Sequence, residues 1–504
     1  MKTSITAEFV IGFQNGDHAI YKDGEVVFED DQILFVGYDY PGPVDRAINA
    51  GHAIVSPGFI DLIALVDIDH GIIDIAVPKR PEDRFEPNQR FRTADAFDRT
   101  FWQVKQKLSV AQLIMNGTTT GMPIAGDLFR GWAETYEEFE DMAGIAADLG
   151  LRMYLGPSYR AYGRHRRFND PDLVRGEKSI ADAFRYAEAF DGAHNGLIRG
   201  FLSPCQISYL TEEYLQRTKE FSDAHQVPIR LNACEGMYEV GYLYERFGKT
   251  TVEYLADLGF LGPLTSIAHG IYLGENIGHH VSPQRDELEL LAQTNTTIIH
   301  TPIAEAHGGM ALNSFSWYLS EGVNLAIGSD THPADMIQNM NFGLHLARIA
   351  EHESFFNAYT TNPRRVKAAT EADLFRAATT NAAKALGRDD LGKLAPGAKA
   401  DLIVVDLSSL RIGPVEDPIR TMLLNTTGAN VRDVVINGRF VMENYVIPGI
   451  NVEGLLRDAQ VCFDRFKRMY SAYDRQNRPA ETFFPDAFPM MEKQKKGGLD
   501  RQDH

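Results

Sequence analysis

The stretch AIVSPGFIDLIAL, residues 53–65, separates two kinds of sequence pattern. Before it, short alternating segments are interrupted by turn residues such as Lys22-Asp23-Gly24, which is typical of β-hairpins. After it, as far as about residue 390, short apolar or β-branched runs alternate with longer amphipathic stretches. This alternation is typical of repeated β/α units and predicts an α/β fold for most of the chain.

Eight runs in the middle region have the length and composition of buried parallel strands. They are Phe59–Leu65, Thr118–Met122, Arg152–Leu155, Ile198–Leu202, Pro228–Asn232, Ser266–His269, Thr297–His300 and Asn324–Gly328. The intervening segments predict helices, among them Ala94–Met115, Ile180–Phe190, Thr211–His225 and Arg285–Gln293. Because eight parallel strands with helical spacers can close on themselves, the sequence predicts a (β/α)8 TIM barrel.

Strand patterns return after this region, at residues 402–406 and 431–439. We therefore predict that the two ends of the chain build one small β-sandwich, from residues 1–56 and residues 391–450. The barrel would occupy residues 57–390. Residues 451–504 are predicted to form a C-terminal helix followed by an extended or disordered tail.

The composition is that of a soluble globular protein, with a formal charge of −19 over 504 residues. Such a charge repels nucleic acids and anionic membrane surfaces, and no run approaches the roughly eighteen apolar residues of a membrane span. The first ten residues lack the basic and apolar regions of a signal peptide. Three widely separated cysteines, Cys205, Cys234 and Cys462, suit a reducing compartment, so we predict a cytoplasmic protein.

Five short motifs, spread over most of the chain, carry a family likeness. They are VSPGFIDL at 55–62, NGTTT at 116–120, NAAKALG at 381–387, GKLAPGAKADL at 392–402 and VVING at 434–438. With them the chain resembles the amidohydrolase superfamily, in the branch of cytosine deaminases and triazine chlorohydrolases. The resemblance implies a barrel with a small β-sandwich and a hydrolase acting on carbon–nitrogen bonds other than peptide bonds. It also implies a small-molecule substrate and a homodimer or larger homo-oligomer.

The resemblance further implies a metal centre at the mouth of the barrel, where the ion lowers the pKa of a bound water. The ligands would be two strand-1 histidines, one histidine each from strands 5 and 6, and a strand-8 aspartate. This sequence has Ile63 and Leu65 at the strand-1 positions and Asn232 at the strand-5 position, and it keeps only His269 and Asp330. Because zinc usually needs three protein ligands, the sequence predicts a degenerate metal site and disfavours zinc or iron as a cofactor.

The polar residues that remain at the predicted strand ends are the candidate site. The resemblance implies that Asp330 takes a proton from water or substrate and that Glu235 assists the leaving group. His269 and His300 would stabilise developing negative charge. The predicted catalytic residues are Asp330, His269 and Glu235, and the predicted substrate-binding residues are His300, Asn232 and Arg160.

Structural roles remain open for the same residues. Either histidine could be a hydrogen-bonded core side chain, Glu235 could open a helix, Asp330 could begin a turn, and Arg160 could belong to a solvated basic loop. The leading prediction for the whole chain is hydrolysis of a small, cyclic substrate by an altered or metal-independent mechanism. One alternative is a non-catalytic binding or assembly protein on a retired barrel. The other is a metalloenzyme whose site is rebuilt with Asp67 or Asp69.

Overall fold

The structure is a computed structural model of the chain. It describes residues 1–66, 97–126, 130–163, 169–273, 281, 283–310, 312, 315–361, 366–473, 476–483 and 485–491.

Both ends of the described chain contribute to one eight-stranded sheet. Its strands are β1 (Lys2–Gln14), β2 (Asp17–Glu29), β3 (Gln32–Gly37), β4 (Arg46–Asn49), β5 (Ala53–Pro57), β14 (Leu402–Asp406), β15 (Val431–Ile436) and β16 (Arg439–Met442). The order is β16-β15-β14-β5-β1-β2-β3, and β4 pairs with β1. Strands β14 and β5 are antiparallel, with Val404 opposite Val55. This pairing joins the two strand-rich segments in one sheet.

The middle of the chain supplies two four-stranded parallel sheets. The first contains β6 (Phe59–Ala64), β7 (Thr118–Pro123), β8 (Arg152–Leu155) and β9 (Ile198–Gly200). The second contains β10 (Ile229–Ala233), β11 (Thr265–His269), β12 (Thr297–His300) and β13 (Asn324–Ile327). Each strand begins and ends within two residues of its predicted limits, because continuous apolar runs bounded by turns are typical of buried parallel strands.

Backbone hydrogen bonds join these two sheets at both edges. Leu202 N–H donates to the Pro228 carbonyl at 2.9 Å, and Arg230 N–H donates to the Leu202 carbonyl at 3.0 Å. At the opposite edge, Asp330 N–H donates to the Ile63 carbonyl at 2.8 Å. The end of β13 therefore lies directly beside the end of β6.

Helices follow most of these strands. At the N-terminus of several helices, a side chain of the capping residue accepts a hydrogen bond from a backbone N–H of the first turn. Asp98 accepts from the Phe101 N–H at 3.0 Å, and Thr135 and Glu138 form a capping box. The helices are α1 (Arg99–Met115), α2 (Tyr136–Leu149), α3 (Leu173–Phe190), α4 (Glu212–His225), α5 (Met237–Phe247), α6 (Thr251–Asp257), α7 (Glu287–Thr294), α8 (Pro302–His307), α9 (Phe315–Ser320), α10 (Met336–Thr361), α11 (Glu371–Ala377), α12 (Thr380–Ala385), α13 (Pro418–Asn425), α14 (Val452–Tyr473) and α15 (Ala480–Phe483). Short helical turns occur at Ala193–Gly196, Ile207–Tyr209 and Gly428–Asn430.

One large apolar core joins helices to strands. It includes Leu113 of α1 and Ile180 of α3 together with Leu155 of β8 and Ile298 of β12, all fully buried. The C-terminal helix α14 begins at Val452 and follows the sheet strands of the chain's end. It packs on the start of α1, where the rings of Phe97 and Phe466 stack 6.0 Å apart. Among the described helices, none combines the length and the apolar character needed to span a bilayer.

Candidate active site

The predicted polar residues lie at the carboxyl ends of neighbouring parallel strands. His269 is the last residue of β11, His300 is the last residue of β12, and Asp330 follows β13. Parallel strands end at the same edge of a sheet, so these side chains belong to one region of the molecule. His269 and Asp330 have φ angles of 73° and 55°. Non-glycine residues rarely adopt this left-handed backbone conformation, and such strain concentrates at functional sites.

A buried hydrogen-bond network links the two histidines through Glu305. His269 Nδ1 lies 3.0 Å from Thr301 Oγ1, and that hydroxyl lies 3.3 Å from Glu305 Oε1. His300 Nδ1 lies 3.1 Å from Glu305 Oε2. The Glu305 carboxylate also accepts from the backbone N–H groups of Thr301 and Leu312. These partners, with His300 the strongest, outweigh burial and hold the pKa of Glu305 below its usual value.

His269 lies in the field of three carboxylates. Burial on its own lowers the pKa of an imidazole, and His269 is only 5% exposed. The negative charges of Glu235, Asp330 and Glu305 outweigh that effect, so the pKa of His269 is raised. The site therefore favours the protonated, cationic form of His269. Residues from four different strand ends share one electrostatic environment.

Asp330 is held in place through the residue that precedes it. Ser329 Oγ donates to Asp61 Oδ2 at 2.6 Å, and Ser329 N–H donates to Asp61 Oδ1 at 3.1 Å. Asp61 is fully buried in β6, and burial raises the pKa of its carboxyl group to about 6 despite these hydrogen bonds. Because Asp330 itself bonds to Ile63, two successive residues after β13 are attached to the first strand of the other sheet.

Glu235 and Asn232 lie at the end of β10 and are both partly exposed. Gln206 Nε2 donates to Glu235 Oε2 at 2.8 Å, which orients the carboxylate. Helix α5 begins after Gly236 as its N-terminal cap, so Glu235 precedes the helix and does not lie in its first turn. This placement argues against the interpretation of Glu235 as a helix-opening residue.

Arg160 is buried and is not part of a solvated loop, since only 2% of its surface is exposed. Its guanidinium lies over the Tyr209 ring, 4.9 Å from the ring centroid. Four further members of the basic cluster, residues 164–167, lie outside the described residues. The substrate-binding role of Arg160 stays a prediction.

Aliphatic side chains occupy the two strand-1 positions where the family resemblance places metal ligands. Ile63 and Leu65 are each 1% exposed, and neither carries a donor atom. Within the ranges that the structure describes, no group of three or more His, Cys, Asp or Glu side chains could hold an ion. The described residues therefore do not fit a metal centre of the family type. Asp67 and Asp69, the candidates for a rebuilt site, lie outside the described residues.

The sequence profile of the amidohydrolase family matches residues 54–441 of this protein. The chain belongs to the amidohydrolase family. Membership confirms the predicted resemblance, and it supports the predicted class of hydrolases that act on carbon–nitrogen bonds other than peptide bonds. The match begins in β5 and ends in β16, so it includes the strand ends that carry the candidate site.

Curated relatives of this amidohydrolase are deaminases. The chain is 24% identical over 450 residues to a 5'-deoxyadenosine deaminase of Methanosarcina barkeri, covering 88% of this chain and 94% of the relative. It is 26% identical over 447 residues to a 5-methylthioadenosine/S-adenosylhomocysteine deaminase of Thermococcus kodakarensis, covering 85% and 93% of the two chains.

Solved structures share the fold of this amidohydrolase. An adenosine deaminase from Xanthomonas campestris with bound zinc aligns with a TM-score of 0.72 at 19% identity, covering 92% of this chain and 98% of its own. The atrazine chlorohydrolase of Arthrobacter aurescens, complexed with zinc, aligns with a TM-score of 0.71 at 19% identity, covering 91% and 99%. Both of those structures contain zinc.

Three polar residues of the site escape prediction from the sequence. Glu305 lies in the helical turn after β12, Gln206 lies after β9, and Arg230 lies inside β10. Gln206 and Arg230 contact residues distant in sequence, so no local motif marks them. Glu305 contacts His300 and Thr301 shortly before it, but no motif considered in the sequence includes it. The one available signal is Arg230, a charged residue in a run that otherwise predicts a buried strand.

Proposed function

We propose that this amidohydrolase hydrolyses a carbon–nitrogen bond other than a peptide bond, or the bond to a related leaving group, in a small cyclic substrate. The two four-stranded sheets would form one eight-stranded barrel, with the sheet from the chain ends as a small β-sandwich beside it. The substrate would bind at the strand ends. The observation that carries the proposal is the buried imidazole of His269 among the carboxylates of Glu235, Asp330 and Glu305.

The proposed reaction is attack of water on the ring carbon that bears the leaving group. Asp330 removes a proton from the water as its oxygen bonds to that carbon. The protonated His269 stabilises the negative charge that develops on the ring, since a cation in a site with little water acts strongly. The Glu235 carboxylate then accepts the remaining proton of the attached water oxygen and delivers it to the departing nitrogen. The carbon–nitrogen bond breaks to release ammonia or an amine, a carbonyl forms at the attacked carbon, and the proton held by Asp330 passes to the ring.

Asn232, His300 and Arg160 are the proposed substrate-binding residues. Asn232 lies at the end of β10 beside Gln206, and both side chains are partly exposed. Their amides can donate to and accept from the polar edge of a heterocycle. His300 is bound to Glu305 through Nδ1, which leaves Nε2 as the atom proposed to contact the substrate. Arg160 would bind an anionic group of the substrate through its planar guanidinium.

The mechanism proposed here differs from the metal-assisted one that the family resemblance implies. The bound zinc of the solved relatives makes a divalent ion plausible chemistry for the family. In this chain, however, Ile63, Leu65 and Asn232 supply no imidazole at three of the five resemblance-implied positions. We therefore assign the proton transfers and charge stabilisation to side chains. The homo-oligomeric state and the cytoplasmic location stay predictions.

The proposal is tested with a substrate panel built on the compounds named in the relatives. Purified protein is incubated with 5'-deoxyadenosine, 5-methylthioadenosine, S-adenosylhomocysteine, adenosine and atrazine, and release of ammonia or chloride is followed. For any substrate turned over, we expect Asp330→Asn to lower kcat about 100-fold or more, since it removes the general base. Asp389→Asn, at an exposed carboxylate, is the matched control. Equal activity in the Asp330 variant and the control would overturn the assignment.

A second measurement separates the proposal from its alternatives. Turnover that survives exhaustive chelation supports reaction chemistry supplied by side chains. Turnover that is lost with chelation and restored by zinc or manganese would favour a site rebuilt with Asp67 or Asp69. Absence of turnover over a broad panel of cyclic amides, amidines and halides would favour a non-catalytic binding protein.

A further inference from the structure

A buried arginine lies inside the strand array, directly beneath the candidate active site. Arg230 and Asn232 are two residues apart on β10, so their side chains point to the same face of the sheet. Asn232 occupies the position where the resemblance places the strand-5 metal ligand. Only 2% of the Arg230 surface is exposed, although arginine is rarely buried without a charged partner.

The guanidinium of Arg230 reaches the ends of β6 and β7, and β6 is the strand on which the resemblance places two metal ligands. Nη1 donates to the Pro123 carbonyl at 2.5 Å and lies 3.4 Å from the carbonyl of Leu62. Leu62 is the residue immediately before Ile63. Nη2 lies 3.4 Å from Ser203 Oγ. The positive charge is thus fixed beside the backbone of the vacated strand-1 position.

Arg230 makes these contacts with neutral groups. No carboxylate of the described residues forms a direct ion pair with it, and its Nε has no hydrogen-bond partner among them. Its charge is balanced at longer range by Asp330, Glu134 and Asp61. Burial lowers the pKa of Arg230 to about 10, so the group remains a cation at neutral pH. A permanent positive charge therefore faces the carboxylates of the site.

We propose that the guanidinium of Arg230 takes over the charge of the metal ion in this amidohydrolase and excludes a divalent cation from the site. The inference rests on the proposed function only for the location of the active site. The guanidinium carries one positive charge, whereas a divalent metal ion carries two. The charge of Arg230 is a permanent part of β10, whereas a metal ion must be bound from solution. The described residues already lack a set of three donors, and repulsion between Arg230 and an incoming ion further weakens any binding to single donors that remain.

A purely structural role for Arg230 makes a different prediction. If Arg230 only connects strand ends through hydrogen bonds, its replacement would change the free energy of unfolding. Replacement of a buried charge by a well-packed apolar side chain is often neutral or stabilising. Such a role gives no reason for the affinity of the protein for metal ions to change. Zinc affinity therefore distinguishes the two roles, and it requires no substrate.

The experiment is a calorimetric titration of ZnCl2 into metal-free wild-type protein and three variants. We expect Arg230→Met to bind one zinc ion at least about tenfold more tightly than wild type, because a repelling charge is removed. Arg230→Lys keeps the charge and should resemble wild type. Arg376→Met removes an arginine that pairs with Asp17 away from the site, and it controls for the change in net charge. Arg230→Gln repeats the test if the methionine variant does not fold.

Equal zinc affinity in wild type and in both neutral Arg230 variants would overturn the inference. One equivalent of tightly bound zinc in wild-type protein purified from zinc-supplemented medium would overturn it as well. Neither result depends on turnover. A protein with no detectable activity on the substrate panel can therefore still support or refute the role of Arg230, so the two proposals fail separately.

Discussion

Ser329 and Asp61 join the last strand of one parallel sheet to the first strand of the other. The Ser329 hydroxyl donates to the Asp61 carboxyl group at 2.6 Å, and the serine backbone N–H donates to the same group. Asp61 is fully buried, so its charge is separated from water. The contact fixes the residue immediately before Asp330, and the position of the proposed general base therefore depends on a buried acid.

Asp61 should make stability depend on pH between about 4 and 6. The pKa of its carboxyl group is raised from 3.8 to about 6 in the folded chain, chiefly by burial. The folded state then binds a proton more tightly than the unfolded state, so this contribution to stability falls as pH rises through that window. The loss amounts to about 3 kcal/mol. Urea unfolding measures the free energy of unfolding of wild type and of Asp61→Asn from pH 4 to 7. The difference between the two should change with pH by this amount, because only wild type has the buried carboxyl group.

The matched control for this measurement is Asp389→Asn, because Asp389 is exposed. Its unfolding free energy should run parallel to that of wild type across the same pH range. A difference between wild type and Asp61→Asn that stays constant from pH 4 to 7 would mean that the Asp61 carboxyl group has an ordinary pKa.

His18 should make stability depend on pH in the opposite direction to Asp61. His18 lies in β2 of the eight-stranded sheet, where that sheet contacts the helices. Its Nε2 lies 3.1 Å from Thr379 Oγ1, and burial lowers the pKa of the imidazole from 6.5 to about 4. The unfolded state binds the proton more tightly, so stability is lost as pH falls from 6.5 toward 4. For a side chain that is not fully enclosed, the expected loss is about 2 kcal/mol. The difference between wild type and His18→Gln in urea unfolding should shrink by that amount at low pH, whereas exposed His345→Gln should follow wild type.

The strands of this protein could be predicted closely from its sequence, because each is a short apolar run between turns. The predicted run Thr297–His300 coincides with β12, and Arg152–Leu155 coincides with β8. The burial of these runs can be predicted from their own apolar composition, without knowledge of the residues that they contact. The pairing of β5 with β14 could not be predicted as a particular pair, because the sequence indicated only that both ends of the chain contribute strands to one small domain.

The interior contacts of the site could not be predicted in the same way. Arg230 bonds to the carbonyls of Leu62 and Pro123, more than 100 residues away. The buried position of Glu305 could not be predicted, because a carboxylate in a short helix is most often exposed. Its role depends on the meeting of β11 and β12, which places Thr301 between the two histidines. Sequence reasoning found the groups at strand ends and missed the groups that hold them.

Gly328 should be intolerant of any side chain. A Cβ atom added there would lie 2.0 Å from Ile63 Cγ2 and 3.1 Å from the Ile63 backbone nitrogen. Gly328→Ala should therefore separate the ends of β13 and β6 and lower the unfolding free energy by about 2 kcal/mol or more. Gly144→Ala is the matched control, because Gly144 lies inside α2 with open space around its Cα. That substitution should stabilise the protein by about 0.5–1 kcal/mol. Equal thermal midpoints for the two variants would contradict the close contact.

Glu305→Gln tests whether the proposed reaction needs His269 as a cation. Removing this negative charge lowers the pKa of His269, since Glu305 is one of the three carboxylates that raise it. If the protonated imidazole is the active form, activity falls as pH rises through that pKa, and the alkaline limb of the kcat profile should move to lower pH in the variant. Glu253→Gln serves as the control, because Glu253 is a buried carboxylate that caps α6. The Glu253→Gln substitution should lower the free energy of unfolding and leave the alkaline limb of the kcat profile at the same pH as in wild type. A shift of the Glu305 variant to higher pH would mean that neutral His269 is the active form, which would reverse its assigned role.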